Sequence, residues 1–169
     1  SLCGVYVHGL AGHIKSIESS TGFLASDVAD TLPRAIHEIG VGELPIEWYI
    51  ELLNLLREKF PKLHVHAFSP PEVVEFVHFF DTPGNTLEEQ IRWVLTKLQD
   101  AGLHSIPGGG GEIFATAVRD KIGLGKCTAE AWLTVMNVAQ ELGMNTSATM
   151  MFGHIEGVAD RIDHMNLVR

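Results

Sequence analysis

Cysteine is scarce in this chain: Cys3 and Cys127 are the two cysteines among its 169 residues. Two thiols cannot form the disulfide framework that holds a small secreted domain together. Without further ligands they also cannot build a zinc or iron–sulfur site. The fold must therefore rest on an ordinary apolar core, and hydrophobic residues make up 46% of the sequence, which is enough to form one.

Positive charge is also in short supply. Twelve Lys and Arg residues stand against 21 Asp and Glu residues, and the formal net charge is −9. This balance argues against nucleic acids or anionic membranes as partners, since both require a basic surface. No apolar run approaches the roughly 18 residues of a membrane-spanning helix, and no secretion signal is recognisable, so a cytoplasmic location is expected. The first residue is Ser1 rather than methionine, which indicates a processed chain or a fragment.

Glycine, by contrast, is concentrated in one place. Residues 102–112 read Gly-Leu-His-Ser-Ile-Pro-Gly-Gly-Gly-Gly-Glu. Consecutive glycines reach backbone conformations that other residues avoid, and their N–H groups can bind carboxylate or phosphate oxygens. A flexible turn is an equally good interpretation of the glycines alone. No Gly-Lys-Ser/Thr follows them, so a nucleotide-phosphate loop is not indicated.

The hydrophobic pattern alternates between strands and helices, which is the order of an α/β fold with a parallel sheet. Helix starts are predicted where Ser69, Thr86 and Thr128 can act as caps, and Gly102 is expected to end a helix. Strands are predicted over residues 62–68, 103–106 and 145–152. Helices are predicted from Pro45 to Pro61, from Ser69 to Phe80, from Thr86 to Ala101, from Glu112 to Ile122, from Thr128 to Gly143, and from residue 157 towards Arg169. The first of these helices is expected to bury Trp48, Leu52, Leu55 and Leu56 on one face.

Polar residues follow each predicted strand. These residues are His66 and Ser69, then Ser105 and Glu112, then His154 and Glu156. In a parallel barrel the carboxyl ends of the strands converge on one mouth, which is where such folds bind their ligands. Three or four strand–helix units are too few for a closed barrel of eight strands, so the sequence predicts a partial barrel.

Three segments of the sequence, in this order, resemble one enzyme family. They are His64–Glu72 (His-Val-His-Ala-Phe-Ser-Pro-Pro-Glu), Ala101–Ile113 around the glycines, and Ala148–Glu156 (Ala-Thr-Met-Met-Phe-Gly-His-Ile-Glu). The family is the radical S-adenosylmethionine enzymes of the futalosine route to menaquinone, together with the related enzyme that makes the F420 precursor. The first two segments and residues 132–136 are most similar to cyclic dehypoxanthinyl futalosine synthase. The Gly-His-Ile-Glu segment and residues 161–164 (Arg-Ile-Asp-His) are also similar to aminofutalosine synthase.

The resemblance implies a radical S-adenosylmethionine type of (β/α) barrel, of which residues 44–169 form a part. It also implies two cofactors, S-adenosylmethionine and a [4Fe–4S] cluster held by three cysteines. Cys3 is similar to the third of these cysteines, and residues 1–43 otherwise match the family poorly. The chain lacks the three-cysteine motif, so alone it is expected to bind no cluster and to be inactive, as an incomplete piece of the enzyme or a degenerate relative.

The same resemblance implies roles for residues at the strand ends. S-adenosylmethionine or a ribose is expected to contact Ser105, Gly108, Gly109, Gly110, Glu112 and Arg119. The substrate, a futalosine-type nucleoside, is expected to contact His66, Ser69, Thr149 and His154. Each role has a structural alternative: an interior hydrogen bond for His66, and a surface position for Arg119. His64 is interpreted as structural, Met150 and Met151 as core residues, and a metal site at His154 and Glu156 is weakly supported because a third ligand is missing.

Two other functions remain open at this point. One is a non-catalytic α/β domain that has kept the glycine loop and lost the cluster. The other is a hydrolase or lyase that uses His66 and Glu112 as acid and base, which would make the three-segment match a coincidence. An incomplete barrel exposes strand edges and apolar surface, so self-association is expected as well.

Overall fold

The computed structural model describes residues 46–122 and 126–169, and residues 48–169 form one compact unit. The predicted helix start at Pro45, the role of Cys3 and the boundary at residue 43 lie outside the described residues. The helices are α1 (Glu47–Lys59), α2 (Pro70–Phe79), α3 (Leu87–Ala101), α4 (Thr116–Ile122), α5 (Ala129–Glu141) and α6 (Val158–Leu167). The strands are β1 (Ser105–Ile106) and β2 (Asn145–Thr146).

The described strands are parallel, as predicted. Ser105 pairs with Asn145 and Ile106 with Thr146, and an isolated parallel bridge joins His66 to Ser105. The chain therefore has the order of an α/β fold, and the described sheet consists of β1 and β2 with the His66 segment along β1. A crossover between parallel strands needs an intervening helix, and α5 supplies it between β1 and β2.

The strands are shorter than the sequence predicts. Residues 62–68 contribute one bridge instead of a strand, because the side chain of His104 accepts the Val65 N–H at 3.0 Å and so removes a donor from the ladder. β2 ends at Thr146 because the chain then turns to the glycine loop. The Ser147 N–H still reaches the Ile106 carbonyl at 3.2 Å, whereas the Ser147 hydroxyl accepts from Gly108 at 2.9 Å.

Three helices begin at the residues that the sequence predicts. Thr86 accepts the Glu89 N–H at 3.2 Å, and Thr128 accepts the Ala131 N–H at 3.1 Å. Each cap satisfies a backbone donor that the first helical turn leaves free. Ser69 precedes α2, where Pro70 takes the first helical position, and the predicted stop after α3 is confirmed because Gly102 adopts a φ of 124°.

The first helix buries Trp48, as predicted, but the rest of its buried face differs from the predicted one. Leu52 and Leu55 are 38% and 49% exposed, whereas Trp48, Tyr49 and Leu53 are buried. The rings of Tyr49 and Phe76 pack at 4.8 Å, which turns α1 towards the aromatic residues of α2. Met151 is 42% exposed, so the expectation that it belongs to the core is also wrong.

The core lies where α2, α3 and α5 pack against one another and α5 packs on β2. Its fully buried side chains include Val73, Ile91, Val94, Leu95, Leu98, Ile106 and Trp132. Burial of one Leu or Ile side chain stabilises a fold by roughly 1.5–3 kcal/mol, so this cluster fixes the base from which the glycine loop extends. Within the described ranges, no helix is both long and apolar enough to cross a bilayer.

Candidate functional site

The four glycines after β1 form a loop, Gly108–Gly111, whose carbonyl groups all bind to donors of the protein. The donors are side chains of later segments: α4 provides one, α5 another, and the segment after β2 the third. Gly108 accepts from the Thr149 hydroxyl at 2.5 Å, Gly109 from the Trp132 indole at 3.0 Å, Gly110 from Arg119 Nη2 at 2.9 Å, and Gly111 from Arg119 Nη1 at 2.9 Å. The loop is therefore anchored, and the interpretation of the glycines as a flexible turn is wrong.

Arg119 is the principal anchor. It is 6% exposed, and it also donates to the Cys127 carbonyl, from Nε at 3.0 Å and from Nη2 at 2.5 Å. Its guanidinium carbon lies 5.9 Å from the centre of the Phe114 ring. The alternative of a surface arginine is wrong. The Arg119 guanidinium already donates to three backbone carbonyls. Its predicted contact with the carboxylate of S-adenosylmethionine stays a prediction.

The glycines are required by the way the loop packs on the rest of the chain. A Cβ atom at Gly108 would lie 2.4 Å from the Ser147 carbonyl oxygen, and one at Gly110 would lie 2.4 Å from Cγ of Pro71. Gly110 also has a φ of 78°, which side chains disfavour. The loop is thus enclosed by the start of α2 on one side and by residues 147–149 on the other.

The N–H groups of the loop are less fully used than its carbonyls. Gly108 donates to the Ser147 hydroxyl at 2.9 Å, and Gly111 donates to the Gly108 carbonyl at 3.4 Å. Within residues 46–122 and 126–169, no acceptor binds the N–H of Gly109 or Gly110. Two adjacent backbone donors are therefore left for a ligand, and such pairs bind anionic or carbonyl oxygens.

Glu112 follows the loop but does not begin a helix. Its φ is 47°, its carbonyl accepts the Met151 N–H at 3.0 Å, and α4 starts at Thr116. The prediction of a helix from Glu112 is wrong because this carbonyl is used by a neighbouring segment. The Glu112 carboxylate forms an ion pair with Lys126, and its side chain is 18% exposed.

Ser69 lies beside the loop. A Cβ atom at Gly109 would come within 3.1 Å of the Ser69 Cβ. The Ser69 hydroxyl and N–H both donate to a carboxylate oxygen of Glu72 at 2.7 Å. Glu72 thus supports the first turn of α2, and it also fixes the Ser69 side chain beside the glycines.

Ser105 connects the loop to two histidines of the preceding segment. Its hydroxyl oxygen lies 2.6 Å from His66 Nδ1 and 2.8 Å from His64 Nε2. The interior hydrogen bond considered for His66 is therefore present, and His64 takes part in it as well. The interpretation of His64 as structural is consistent with this hydrogen bond, and residues 64 and 66 of an extended segment lie on the same face.

A second loop, Gly153–Glu156, surrounds a buried carboxylate. Glu156 accepts the N–H groups of Gly153 at 2.6 Å and His154 at 3.0 Å, and Arg161 donates to it at 2.6 and 2.7 Å. The N–H of Gly153, followed by the other donors, outweighs burial and lowers the pKa of Glu156 to about 2. This carboxylate is charged at neutral pH and shapes the loop.

His154 has a defined hydrogen-bonding pattern in this loop. Its Nδ1 accepts the Ile155 N–H at 2.7 Å, so the neutral ring carries its proton on Nε2. Among the described residues, no group of three or more histidine, cysteine or acidic side chains could hold a metal ion. The side chains of His154 and Glu156 instead accept backbone N–H groups of their own loop. Their hydrogen bonds lie within residues 153–161, away from the glycine loop.

His164 is a site-supporting residue that the sequence pattern did not single out. It is 1% exposed, stacks on Phe114 with ring centres 4.2 Å apart, and binds the Thr149 carbonyl through Nε2 at 2.9 Å. Burial lowers the pKa of His164, and the nearby Arg119 charge acts in the same direction. A neutral His164 thus holds Thr149, whose hydroxyl holds Gly108.

The described residues do not fit an iron–sulfur cluster. Cys127 is the cysteine among them, it is half-buried, and burial raises the pKa of its thiol. Cluster ligands must be thiolates, so a raised pKa is unfavourable for that role. What residues 46–122 and 126–169 supply is the candidate ligand loop.

No protein-family model matches this sequence. Individual curated proteins do. Aminodeoxyfutalosine synthase of Thermus thermophilus is 42% identical over 125 residues, which cover 74% of this chain and 32% of that enzyme. The 5-amino-6-(D-ribitylamino)uracil–L-tyrosine 4-hydroxyphenyl transferase of Methanopyrus kandleri is 39% identical over 127 residues, with 75% and 32% coverage. FO synthase of Mycobacterium leprae is 35% identical over 127 residues, with 75% and 14% coverage.

These relatives are radical S-adenosylmethionine enzymes, and this chain is homologous to part of them. It spans about a third of the length of the first two and a smaller share of the third. Homologues of the kind that the sequence motifs indicated are therefore found, and these relatives do not show the more specific similarity to cyclic dehypoxanthinyl futalosine synthase. The identities extend across enzymes with three different names, so they define the group and leave the individual reaction open.

Proposed function

We propose that this chain is a segment of a radical S-adenosylmethionine enzyme that acts on a futalosine-type nucleoside in menaquinone biosynthesis. The observation that carries the proposal is the pair of N–H groups at Gly109 and Gly110. These two N–H groups have no protein acceptor in the described residues, whereas every carbonyl of the loop accepts a hydrogen bond from a side chain. A rigid pair of donors binds oxygen atoms of a ligand at little cost in ordering.

The loop is the part of the chain that would hold S-adenosylmethionine. Gly109 and Gly110 supply donors for its carboxylate, and Glu112 supplies an acceptor for its amino group or ribose hydroxyls. Gly108, Ser105 and Arg119 support the loop from within. When bound and reduced in such enzymes, S-adenosylmethionine supplies a carbon radical. The residues described here would bind and orient it and would exclude water.

The same strand-end face would hold the nucleoside. His66, Ser69, Thr149 and His154 are the proposed contacts. The proposal is supported by Ser69, which lies beside Gly109, and by Thr149, whose hydroxyl donates to the Gly108 carbonyl. His66 is hydrogen-bonded to Ser105, three residues before the loop. His154 lies in the second loop, where its Nε2 hydrogen is available as a donor.

The finer assignment is a radical cyclisation like that of cyclic dehypoxanthinyl futalosine synthase. It is supported by the similarity of residues 64–72, 101–113 and 132–136 to that enzyme. The second candidate is the reaction of aminodeoxyfutalosine synthase, which the 42% identity to the Thermus thermophilus enzyme favours. Calorimetry distinguishes the two. Binding of dehypoxanthinyl futalosine to this chain supports the cyclisation, and tighter binding of the substrate of aminodeoxyfutalosine synthase supports the second candidate.

Amide resonances of the loop test the proposal directly. We expect S-adenosylmethionine, titrated into the ¹⁵N-labelled chain, to shift the N–H signals of Gly109 and Gly110, and we expect Glu112→Gln to weaken binding about tenfold. Gly143 and an exposed Glu130→Gln variant serve as matched controls. Saturating ligand without any shift at Gly109 and Gly110 contradicts the proposal.

A non-catalytic domain that keeps the pocket is the alternative within the same fold. Anaerobic iron–sulfur reconstitution separates the two, because a domain of that kind binds no iron even when it is extended to the length of its relatives. For the present chain alone we expect no cluster-dependent activity. About four bound irons per chain together with cleavage of S-adenosylmethionine would overturn that expectation.

A further inference from the structure

The hydroxyl of Ser105 lies between two imidazole rings and is itself shielded from water. It is within hydrogen-bond distance of His66 Nδ1 and His64 Nε2, at 2.6 and 2.8 Å, while Ser105 is 3% exposed. Both histidines are exposed on their outer sides. Among the described residues the hydroxyl therefore has the two ring nitrogens as its hydrogen-bond partners, and each ring is partly exposed.

The hydrogen bonds of this group constrain one another. A hydroxyl has one hydrogen, so Ser105 can donate to only one of the two ring nitrogens. The other ring must then donate its own N–H to the Ser105 oxygen. Two neutral arrangements satisfy every group, and in passing from one to the other both histidines exchange the nitrogen that carries the hydrogen.

We propose that His64, Ser105 and His66 form a proton relay with His66 at the ligand end and His64 at the solvent end. Among the described residues, no protein group binds His66 Nε2 or His64 Nδ1, so both ends of the relay are free. Ser105 is the first residue of β1 and lies three residues before the glycine loop. A ligand held by that loop lies beside the relay.

The proton balance of the relay is complete without a further reagent. A ligand hydroxyl or amine gives its proton to His66 Nε2, and the hydrogen on His66 Nδ1 passes to the Ser105 oxygen. The Ser105 hydrogen passes to His64 Nε2, and the hydrogen on His64 Nδ1 leaves to water. The ligand loses one proton, water gains it, and all three residues end neutral. That this ligand is a nucleoside rests on the proposed function, whereas the coupling of the two rings does not.

Nitrogen-15 NMR of the unliganded full chain tests the relay, at a pH where both imidazoles are neutral. We expect the nitrogens nearest Ser105 to show opposite states, one protonated and one bare, and relaxation dispersion to give both rings the same exchange rate and populations. Ser105→Ala should remove the shared rate, and Ser105→Thr, which keeps the hydroxyl, should restore it.

His104 is the matched control. Its ring lies 5.0 Å from that of His64, but its Nδ1 is held by the Val65 N–H, so its tautomer should not change in Ser105→Ala. Different exchange rates at His64 and His66 in the native chain, or a shared rate that survives Ser105→Ala, would overturn the relay. Because no ligand is present, failure here leaves the binding test at Gly109 and Gly110 unaffected, and failure there leaves this test intact.

Discussion

The Arg119 guanidinium donates to the Gly111 carbonyl at 2.9 Å, and so a residue of α4 holds the backbone of a loop eight residues earlier. We expect Arg119→Met to lower the free energy of unfolding by about 3 kcal/mol, because buried carbonyls lose charged donors and are left unpaired. Urea unfolding measures the change. Arg92→Met, at an exposed ion pair, should cost at most about 1 kcal/mol, and equal losses in both variants contradict this account.

Gly110 and Gly143 form a matched pair for the steric role of the loop. Both have positive φ, 78° and 76°, but a Cβ atom at Gly110 meets Pro71 at 2.4 Å while one at Gly143 meets nothing within 4 Å. Gly143→Ala should cost about 1 kcal/mol for backbone strain, and Gly110→Ala about 1–3 kcal/mol more for overcrowding. Denaturation midpoints compare them. If the two costs are the same, Pro71 can move aside and the loop is less confined than described.

His164 should make stability depend on pH near neutrality. Burial lowers the pKa of His164 below 6.5 in the folded chain. As pH decreases, the unfolded chain therefore binds a proton at this histidine at a higher pH than the folded chain does. The free energy of unfolding should therefore fall as pH decreases below about 6.5, by at most about 1.4 kcal/mol per pH unit. Above that pH the contribution of His164 should be fully present. Thermal unfolding between pH 5 and pH 8 measures the slope. His164→Gln keeps a donor for the Thr149 carbonyl and should flatten the slope, whereas the exposed His78→Gln should not.

Glu156 acts in a lower window. In the folded chain the pKa of Glu156 is about 2, against an ordinary value of 4.5. The charged carboxylate therefore contributes to the free energy of unfolding above about pH 4.5, and this contribution is lost as pH falls towards 2. Glu156→Gln should destabilise the chain at pH 7, and the difference from the native chain should shrink through this window. Acid titration followed by circular dichroism measures it, with Glu130→Gln as the exposed control. A constant difference down to pH 2 would mean that the shape of the side chain matters and its charge does not.

Self-association remains a prediction from the sequence, and the structure suggests where to test it. Phe152, Ile155, Val158 and Ile162 lie close together in the chain around the start of α6, and all are about half or more exposed. We expect sedimentation velocity to show association that increases with concentration and that Val158→Lys with Ile162→Lys reduces. Leu55→Lys, at an exposed position on α1, should have no such effect. A monomer at every concentration contradicts the prediction.

Local signals in the sequence predicted much of the fold. Ser69, Thr86 and Thr128 begin helices and Gly102 ends one, because each acts on backbone groups within a few residues of itself. The lengths of the strands were not predictable in this way. The segment 62–68 is limited by His104, whose side chain replaces a backbone partner, and β2 ends where the chain turns to the glycine loop.

The site could be located from the sequence, but its construction could not. The glycines, Ser105 and Ser69 were recognised, and the structure brings them together. The binding of the loop carbonyls to Arg119, Trp132 and Thr149 depends on residues 8 to 41 positions later, which periodicity does not detect. His164 was missed for the same reason, since a lone histidine in an amphipathic helix gives no signal of its burial.

The donors that hold the glycine loop all follow it in the chain, and this sets an order during synthesis. As the chain leaves the ribosome, the glycines emerge first, and the last of their carbonyls gains its side-chain donor only after Thr149 has been made. Until then the loop is free to sample other conformations. A translation product that stops short of Thr149 could form much of the helical core and would still lack a finished site.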